Sequence, residues 1–258
     1  MTFGPFDLTG KVVLVTGGNS GVGLGMATGL AQAGADVCVW GRSTEKNDSA
    51  HRSLSAFGRR VMVDQVDIED PDQISAAFDR FVAKLGRVDA CFANAGIGST
   101  TDAPRFVDST LETWQKTQRV NLDGTYLTLR AAARTMVEQG DGGSLVATSS
   151  IAARFGSARN ATYSASKSGI EALMRGLAVE LGRHRIRANS LEPAWTLSEH
   201  MTDYAGSDLV KQKVMPRIPL RRFGTPADWA GVAVYLASDA SSFHTGDVLR
   251  IDGGYSIF

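Results

Sequence analysis

Seven short apolar runs, separated by longer stretches of helical periodicity, constrain the fold of this chain more than any other feature. A helical pattern follows the first run from Val22 and ends at Gly34, and others lie near residues 72–85, 111–138, 162–182 and 226–237. Because strands and helices alternate along the whole chain, we expect a parallel sheet with helices on both faces. The predicted strands cover residues 12–15, 37–40, 61–66, 90–93, 145–148, 186–191 and 248–251.

One segment, residues 193–222, departs from this alternation. It is polar, contains Pro193, Pro216 and Pro219, and shows mixed periodicity. Long excursions of this kind in a compact fold often cover a binding site, so we predict a substrate lid here. The rest of the sequence contains no linker-like stretch and no internal repeat, which predicts one domain over residues 1–258.

The composition excludes several functional classes. The 258 residues include 27 Lys and Arg and 27 Asp and Glu, so no basic surface for nucleic acid is expected. Hydrophobic residues make up 43%, unlike a disordered chain, and no apolar stretch approaches the roughly 18 residues of a membrane span. Residues 1–11 include Asp7 and no apolar core, so we expect no signal peptide and a cytoplasmic protein. Cys38 and Cys91 are expected to be buried apolar residues, and the four histidines lack the spacing of metal ligands.

A glycine-rich turn joins the first predicted strand to the first helix. Residues 16–23 read Thr-Gly-Gly-Asn-Ser-Gly-Val-Gly, and the glycines at 17, 21 and 23 allow a tight turn and close approach to a pyrophosphate. The following helix presents unpaired N–H groups and the positive end of its dipole. A strand, a glycine turn and a helix in this order predict a nucleotide-binding site.

The end of the second strand bears on which dinucleotide binds. Sites that prefer NAD carry Asp or Glu about 20 residues after the turn, where the carboxylate binds ribose hydroxyls. This chain has Gly41 there, followed by Arg42 and Ser43, and Glu45 lies past the strand end. A guanidinium matches a 2′-phosphate in charge and geometry, so NADP(H) is favoured and NAD(H) is the alternative. The alternative role for Arg42 is that of a solvated loop charge.

Tyr163 and Lys167 lie four residues apart in a predicted helix and therefore share one helix face. The pKa of a tyrosine hydroxyl is near 10, and a nearby ammonium lowers it, which suits the hydroxyl to acid–base work. Ser150 follows the fifth strand and Asn94 the fourth, so both reach the carboxyl edge of the sheet, where ligands bind. Asn121 falls in a predicted helix, where Asn is mildly unfavourable, and is either functional or merely exposed.

Together these motifs resemble the short-chain dehydrogenase/reductase family, in its compact single-domain branch. Ser150 precedes Tyr163 by thirteen residues, as in the family. The resemblance runs over nearly the whole chain and implies an α/β fold. The sheet would be a Rossmann-type, doubly wound parallel sheet of about seven strands in the order 3-2-1-4-5-6-7. The matching pieces are residues 16–23, Asp67, residues 94–96, Asn121, Ser150, Tyr163, Lys167 and the Asp-Gly-Gly at 252–254.

The resemblance also implies a role for each residue of the site. Tyr163 would be the general acid in reduction and the general base in oxidation, Lys167 would lower its pKa and hold the nicotinamide ribose, and Ser150 would position the reacting oxygen. Asn121 would hold a water that links Lys167 to solvent. Hydride would pass between the nicotinamide and a carbonyl carbon. The predicted cofactor-binding residues are Gly17, Asn19, Ser20, Gly21, Val22, Gly23, Arg42, Ser43, Asp67, Ile68, Asn94, Ala95, Gly96, Thr148, Tyr163, Lys167, Pro193, Ala194, Thr196 and Ser198.

The chain departs from the family pattern after the sixth strand. The family usually has Pro-Gly there, whereas this chain has Pro193-Ala194, and a positive φ at Ala194 would be strained. Thr196 and Ser198 stand where the family contacts the carboxamide and the pyrophosphate, and Ser198 replaces the more usual Thr. We expect cofactor binding to survive both changes.

The motifs leave the substrate open among a sugar or polyol, a β-ketoacyl thioester and a steroid-like ketone. Predicted pocket residues lie at 97–106, at 151–160 and in the lid. Arg154 and Arg159 either attract an anionic substrate such as a sugar acid or are ordinary surface arginines. Four lid residues either face the substrate or pack on the domain: Trp195, His200, Met201 and Tyr204.

Two segments, residues 220–224 and 255–258, resemble family members that form tetramers, and the apolar C-terminus suggests a buried chain end. We therefore expect a homotetramer with two-fold interfaces that binds a small carbonyl or alcohol substrate and neither nucleic acid nor membrane.

Two other function classes remain alternatives on the same fold. A cofactor-free lyase of the halohydrin type would carry an Arg and a bulkier residue in the nucleotide turn, so Lys167 and the intact glycines argue against it. A non-catalytic dinucleotide-sensing protein would usually lack the tyrosine, so Tyr163 and Ser150 argue against that class.

Overall fold

Seven parallel strands form the centre of the structure, a computed structural model that describes residues 4–98, 103–197 and 208–258. The strand order is 3-2-1-4-5-6-7, and every neighbouring pair is parallel. This confirms the predicted sheet and its order. The strands are β1 (Val12–Thr16), β2 (Asp36–Gly41), β3 (Val61–Gln65), β4 (Ala90–Ala93), β5 (Gly143–Thr148), β6 (Ile186–Pro193) and β7 (Val248–Ile251).

Helices cover both faces of the sheet. They are α1 (Gly21–Gln32), α2 (Thr44–Ser55), α3 (Pro71–Leu85), α4 (Leu111–Gln118), α5 (Gly124–Gln139), α6 (Ala161–Leu181), α7 (Asp208–Val214) and α8 (Ala230–Ala237). Phe81 of α3, Leu129 of α5 and Ile170 of α6 belong to the core under one face. Leu30 of α1 and Leu236 of α8 belong to the core under the other face. No helix in the described ranges is long and apolar enough to cross a bilayer.

Helix α7, within the segment of mixed periodicity, is not predicted, and the other helices differ from the sequence prediction in three places. Helix α2 is not predicted because Ala50 and Leu54 are its only buried apolar residues, too few for an amphipathic stripe. The helix predicted over 111–138 is divided into α4 and α5 by a π-helical stretch, Arg119–Asp123. The helix predicted over 226–237 begins with a 3₁₀ turn, Pro226–Trp229, and continues as α8.

The topology places a crevice at the carboxyl ends of β1 and β4. From β1 the chain continues to β2 on one side, and β4 lies on the other side, so the connections diverge between the two strands. Ligands of open α/β sheets bind at such a switch point. Residues 17–20 follow β1 and residues 94–96 follow β4, so the sheet brings both motifs to this crevice.

Candidate active site

The glycine turn after β1 has little room for side chains. Gly17 and Gly21 have φ values of 66° and 52°, in the left-handed region that favours glycine. A Cβ atom on Gly23 would overlap the Gly17 carbonyl oxygen and the Asn94 side-chain amide. The N-cap residue of α1, Ser20, makes no side-chain cap hydrogen bond. The N–H groups of the first turn therefore lack the usual side-chain acceptor, which fits the diphosphate of a dinucleotide.

Hydrogen bonds join the ends of β1, β4 and β5. The Thr16 hydroxyl oxygen accepts from the backbone N–H groups of Asn94 and Ala95, both at 3.0 Å. The Asn94 amide donates to the Thr16 carbonyl at 3.1 Å, and the Thr148 hydroxyl donates to the Asn94 amide oxygen at 3.1 Å. This network fixes the floor of the crevice, where Asn94, Ala95 and Thr148 are predicted to contact cofactor.

Beyond β2, Arg42 is exposed, and its guanidinium has no hydrogen-bond or ion-pair partner in the described part of the chain. Ser43, a predicted cofactor residue, instead caps α2, since its side chain accepts from the Lys46 N–H at 3.3 Å. Asn19 donates through its amide to the side-chain oxygen of Asn47 at 2.7 Å. The side chains of Ser43 and Asn19 are thus already engaged, whereas Arg42 is available.

Asn47 is a buried residue that the sequence reasoning missed. Its amide donates to the carbonyls of Gly41 and Asp64, at 3.0 and 3.4 Å. A Cβ atom on Gly41 would overlap the Asn19 amide. A side chain at the position of the expected carboxylate would therefore displace the side chains of Asn19 and Asn47.

Asp67 and Ile68, which follow β3, are held by a local hydrogen bond and by burial, respectively. The Asp67 carboxylate accepts from the Glu69 N–H at 3.0 Å, and Asp67 is half-buried. Ile68 is buried, and a Cβ atom on Gly124 would lie 2.8 Å from its carbonyl oxygen. Ile68 is thus close to the start of α5, and the contact of Asp67 and Ile68 with adenine stays a prediction.

Lys167 is buried behind the predicted catalytic tyrosine. The residue is 4% exposed, and its Nζ donates to the Thr148 carbonyl at 2.7 Å. The same Nζ lies 5.7 Å from the centre of the Tyr163 ring. Burial lowers the pKa of Lys167 to about 8. At neutral pH the site therefore holds a buried ammonium one helical turn from Tyr163.

Ser150 and Tyr163 are brought together at the mouth of the crevice. Their hydroxyls are hydrogen-bonded, and the Ser150 oxygen also accepts from the Ala152 N–H at 3.2 Å. Burial raises the pKa of Tyr163, and the bond to Ser150 opposes this by lowering it. The net direction is opposite to the one expected from the ammonium of Lys167 alone, because desolvation of the phenolate is the larger effect.

Asn121 lies in the π-helical stretch between α4 and α5 and is fully buried. Its oxygen accepts from the Ile97 N–H at 2.8 Å, and its amide donates to the Ile97 carbonyl at 3.1 Å and to the Ser166 hydroxyl at 3.2 Å. A Cβ atom on Gly96 would lie 2.9 Å from the Asn121 oxygen and 3.6 Å from the Lys167 Nζ. Asn121 and Lys167 are therefore adjacent, and the exposed alternative for Asn121 is wrong. π-Helical bulges occur frequently at functional sites.

The chain after β6 differs from expectation at one position. Ala194 does not have a positive φ, so the strain expected from the replacement of glycine is absent. Thr196 is buried and forms a β-bridge with Gly224. Ser198 lies outside the described residues, as do His200, Met201 and Tyr204.

A cavity of about 940 Å³ opens next to Tyr163. Its wall includes Ile97 and residues 152–157, which confirms part of the two predicted pocket segments. Helix α4 contributes Glu112 and Lys116, which the sequence reasoning missed because α4 is distant in sequence from the catalytic motifs. Tyr163 thus borders a substrate-sized space, and Lys167 behind it lies near Gly96, which follows β4.

The buried ammonium of Lys167 should reduce the stability of the fold at neutral pH. Its pKa is about 8 in the folded chain, below the ordinary 10.5. Between these values the unfolded state binds more protons, so stability should rise with pH in this window and be lowest below it. We expect Lys167→Met to increase the free energy of unfolding at pH 7 by up to about 3 kcal/mol, with the difference vanishing toward pH 10.5. Urea denaturation at both pH values measures this, and a variant that is less stable at pH 7 would contradict it.

Comparisons with known proteins agree with this geometry. A family model described as Enoyl-(Acyl carrier protein) reductase matches residues 17–256. An L-rhamnose 1-dehydrogenase (NAD(P)(+)) from Sphingomonas sp. strain SKA58 is 39% identical over 248 residues, which cover 96% of each protein. A 2-dehydro-3-deoxy-D-gluconate 5-dehydrogenase from Escherichia coli K12 is 33% identical over 255 residues, 99% of each protein. The crystal structure of a gluconate 5-dehydrogenase from Burkholderia cenocepacia J2315, in complex with NADP and tartrate, superposes with a TM-score of 0.91 at 31% identity and covers 98% of both chains.

Proposed function

The chain belongs to the short-chain dehydrogenase/reductase family, and we propose that it uses NADP(H) to interconvert a secondary alcohol and a carbonyl in a small substrate. It is a hydride-transfer oxidoreductase that acts on CH–OH or C=O groups, as its named relatives are. The observation that carries the proposal is the hydrogen-bonded pair Ser150–Tyr163, with the Lys167 Nζ 5.7 Å from the tyrosine ring and the cavity beside it. In oxidation, the alcohol and NADP⁺ give the carbonyl, NADPH and one proton.

The protein residues supply positioning and proton transfer. Ser150 holds the reacting oxygen of the substrate, and Tyr163 exchanges a proton with that oxygen. Because burial raises the pKa of Tyr163, its hydroxyl is protonated at neutral pH, which is the form that donates in reduction. Lys167 holds a positive charge beside the tyrosine, which favours the phenolate in oxidation, and Asn121 supports it through a water-mediated path to solvent. The nicotinamide, when bound, gives or accepts the hydride.

Residues that follow five of the strands would hold the cofactor. The N–H groups at the start of α1 would bind the diphosphate, and residues 94–96 would line the nicotinamide half. Asp67 and Ile68 would contact the adenine. Thr196, with Ser198 after it, would contact the carboxamide and the pyrophosphate.

The preference for NADP(H) depends on Arg42. A 2′-phosphate pairs with an exposed guanidinium, and this chain has no carboxylate at the end of β2 to bind the ribose hydroxyls of NAD instead. We expect Arg42→Met to raise the dissociation constant of NADPH about tenfold or more and that of NADH by less than about twofold. Nicotinamide fluorescence titrations measure both constants.

Arg52, an exposed arginine of α2, provides the matched control. Arg52→Met removes the same charge from the same side of the molecule and should leave both affinities near wild type. Equal loss of NADPH affinity in the two variants would show that Arg42 acts only through its general positive charge and does not pair with the 2′-phosphate. Wild-type preference for NADH would exclude the proposed pairing and favour an NAD-dependent dehydrogenase.

Turnover tests the reaction class directly. Purified protein is supplied with NADP⁺ and either L-rhamnose or D-gluconate, and absorbance of NADPH is followed at high protein concentration. Formation of NADPH with either compound, or its consumption with the corresponding carbonyl compound, supports the proposal. The lyase alternative predicts substrate loss without a change in the dinucleotide, and the sensing alternative predicts binding without any turnover.

We also propose that residues 1–258 form one domain, with a lid over 193–222, that assembles as a homotetramer. One sheet contains all seven described strands, which supports the single domain. The apolar side chains of Ile257 and Phe258 are exposed in the isolated chain, as are Leu111 and Trp114 of α4, which supports association. Light scattering should give about four times the 27.4 kDa chain mass, and a value near the chain mass would contradict the tetramer. A cytoplasmic location stays a prediction.

A further inference from the structure

A fully buried carboxylate lies at the end of β6, close to the cavity. Glu192 is 0% exposed and accepts hydrogen bonds from two arginines, Arg154 and Arg250, each at 3.2 Å. Burial raises the pKa of Glu192, and the two arginines act in the opposite direction. A buried charge needs compensation of this kind, so the three side chains form one unit.

The two arginines of this unit differ in what else they contact. Arg250 is 26% exposed and also donates to the Ser256 hydroxyl at 2.7 Å, so it anchors Glu192 to the C-terminal segment. Arg154 is 48% exposed and forms part of the cavity wall that includes Tyr163. It donates to Glu192 through Nε, and within the described ranges its two Nη groups make no hydrogen bond, although its charge also lowers the pKa of Asp247. Arg154 is therefore a cavity-wall residue whose guanidinium is fixed by Glu192 and whose Nη groups can still donate hydrogen bonds.

The charges around the cavity favour an anion. Among the described residues of its wall, three side chains are cationic, Lys116, Arg154 and Arg159, and one is acidic, Glu112. Of these three cationic side chains, Arg154 is the one that is hydrogen-bonded to the buried Glu192. A side chain that is already held in place loses less conformational entropy when it binds a ligand. A guanidinium also matches the planar geometry of a carboxylate.

We propose that Arg154, held by Glu192, binds the carboxylate of a sugar-acid substrate and is a specificity-determining residue of the active site. This inference rests on the proposed dehydrogenase function, since it assigns the substrate class of the same cavity. Glu192 is a positioning residue that acts through Arg154, and Arg250 compensates its charge while Arg154 is shared between Glu192 and the substrate. The reacting hydroxyl or carbonyl of the same molecule lies at Ser150 and Tyr163.

A matched pair of ligands tests the proposal. D-Gluconate and D-glucitol differ in the replacement of a carboxylate by an uncharged CH₂OH group. Binding of each to the protein saturated with NADPH, which cannot oxidise an alcohol, is measured by calorimetry, and NADPH affinity is measured separately on the same protein preparation. We expect the wild type to bind gluconate at least about tenfold more tightly than glucitol, as the loss of a charge-assisted hydrogen bond predicts.

Two variants locate the effect. Arg154→Met should raise the dissociation constant of gluconate about tenfold or more and change that of glucitol by less than about twofold. Arg175→Met, the control, removes a charge from an exposed position of α6 outside the cavity wall and should change the gluconate constant by less than about threefold. Glu192→Gln should weaken gluconate binding while leaving glucitol binding unchanged, a ligand-dependent effect that loss of a purely structural contact would not produce.

Several results would overturn the inference. The first is equal affinity of the wild type for the two ligands, and the second is binding of neither ligand to protein that binds NADPH. The third is an equal loss of gluconate affinity in the Arg154→Met and Arg175→Met variants. In each case the proposed dehydrogenase function survives, because NADPH binding is retained. Absence of NADPH binding by the wild type is the separate result that removes the proposed function itself, and the inference with it.

Discussion

Replacement of Tyr163 with Phe is expected to lower kcat by about a thousandfold, within the usual range for loss of a general acid or base. The change removes only the hydroxyl that is hydrogen-bonded to Ser150 and lies near the Lys167 ammonium. The ring remains to fill its space, so NADPH affinity should stay within about twofold of wild type and unfolding free energy within about 1 kcal/mol. Turnover is measured with whichever of D-gluconate or L-rhamnose the wild type oxidises.

Tyr126 provides the control for this substitution. It is an exposed tyrosine of α5 outside the active site. Tyr126→Phe should leave kcat, KM and NADPH affinity at wild-type values. A Tyr163→Phe enzyme that retains more than about a tenth of wild-type kcat would show that another group transfers the proton.

Replacement of Gly23 with Ala is expected to raise the dissociation constant of NADPH by at least about a hundredfold, as the loss of one or two charge-assisted hydrogen bonds predicts. The added Cβ would overlap the Gly17 carbonyl oxygen, which is backbone and cannot rotate away. The turn must therefore open, and the N–H groups at the start of α1 lose their arrangement around the diphosphate. Fluorescence titration measures the affinity, and circular dichroism verifies that the variant is folded.

Gly25, two residues along the same helix, separates packing from cofactor binding. A Cβ atom there would overlap the Pro226 carbonyl rather than the turn. We expect Gly25→Ala to cost about 2 kcal/mol of stability through overpacking and to leave the NADPH affinity of the folded protein nearly unchanged. A Gly23→Ala protein that binds NADPH within tenfold of wild type would disprove the assigned role of the turn.

The strands could be predicted because each is a local apolar run. Their order could be predicted because the motifs of the chain resemble those of a known family. The predicted bounds of β4 and β7 agree with the structure, since each is a short apolar run with a clear end. Helix α2 could not be predicted from periodicity because it covers the sheet with only two apolar side chains. Its signal was the N-cap, Ser43, followed by an acidic first turn.

The parts of the site that depend on distant residues could not be predicted. Asn47 pairs with Asn19 across 28 residues, and Glu192 pairs with Arg154 across 38, and no local pattern records such contacts. The direction of the pKa shift at Tyr163 also required the fold. Spacing places Lys167 near the tyrosine, but the extent of desolvation depends on how the whole crevice is packed.

The most direct test of the central claim is a fluorescence titration of the wild-type protein with NADPH, with NADH in parallel. Our account predicts saturable binding of NADPH at the turn after β1, tighter than that of NADH. Binding of neither dinucleotide would contradict the assignment of an NADP(H)-dependent oxidoreductase and would favour the cofactor-free lyase on the same fold.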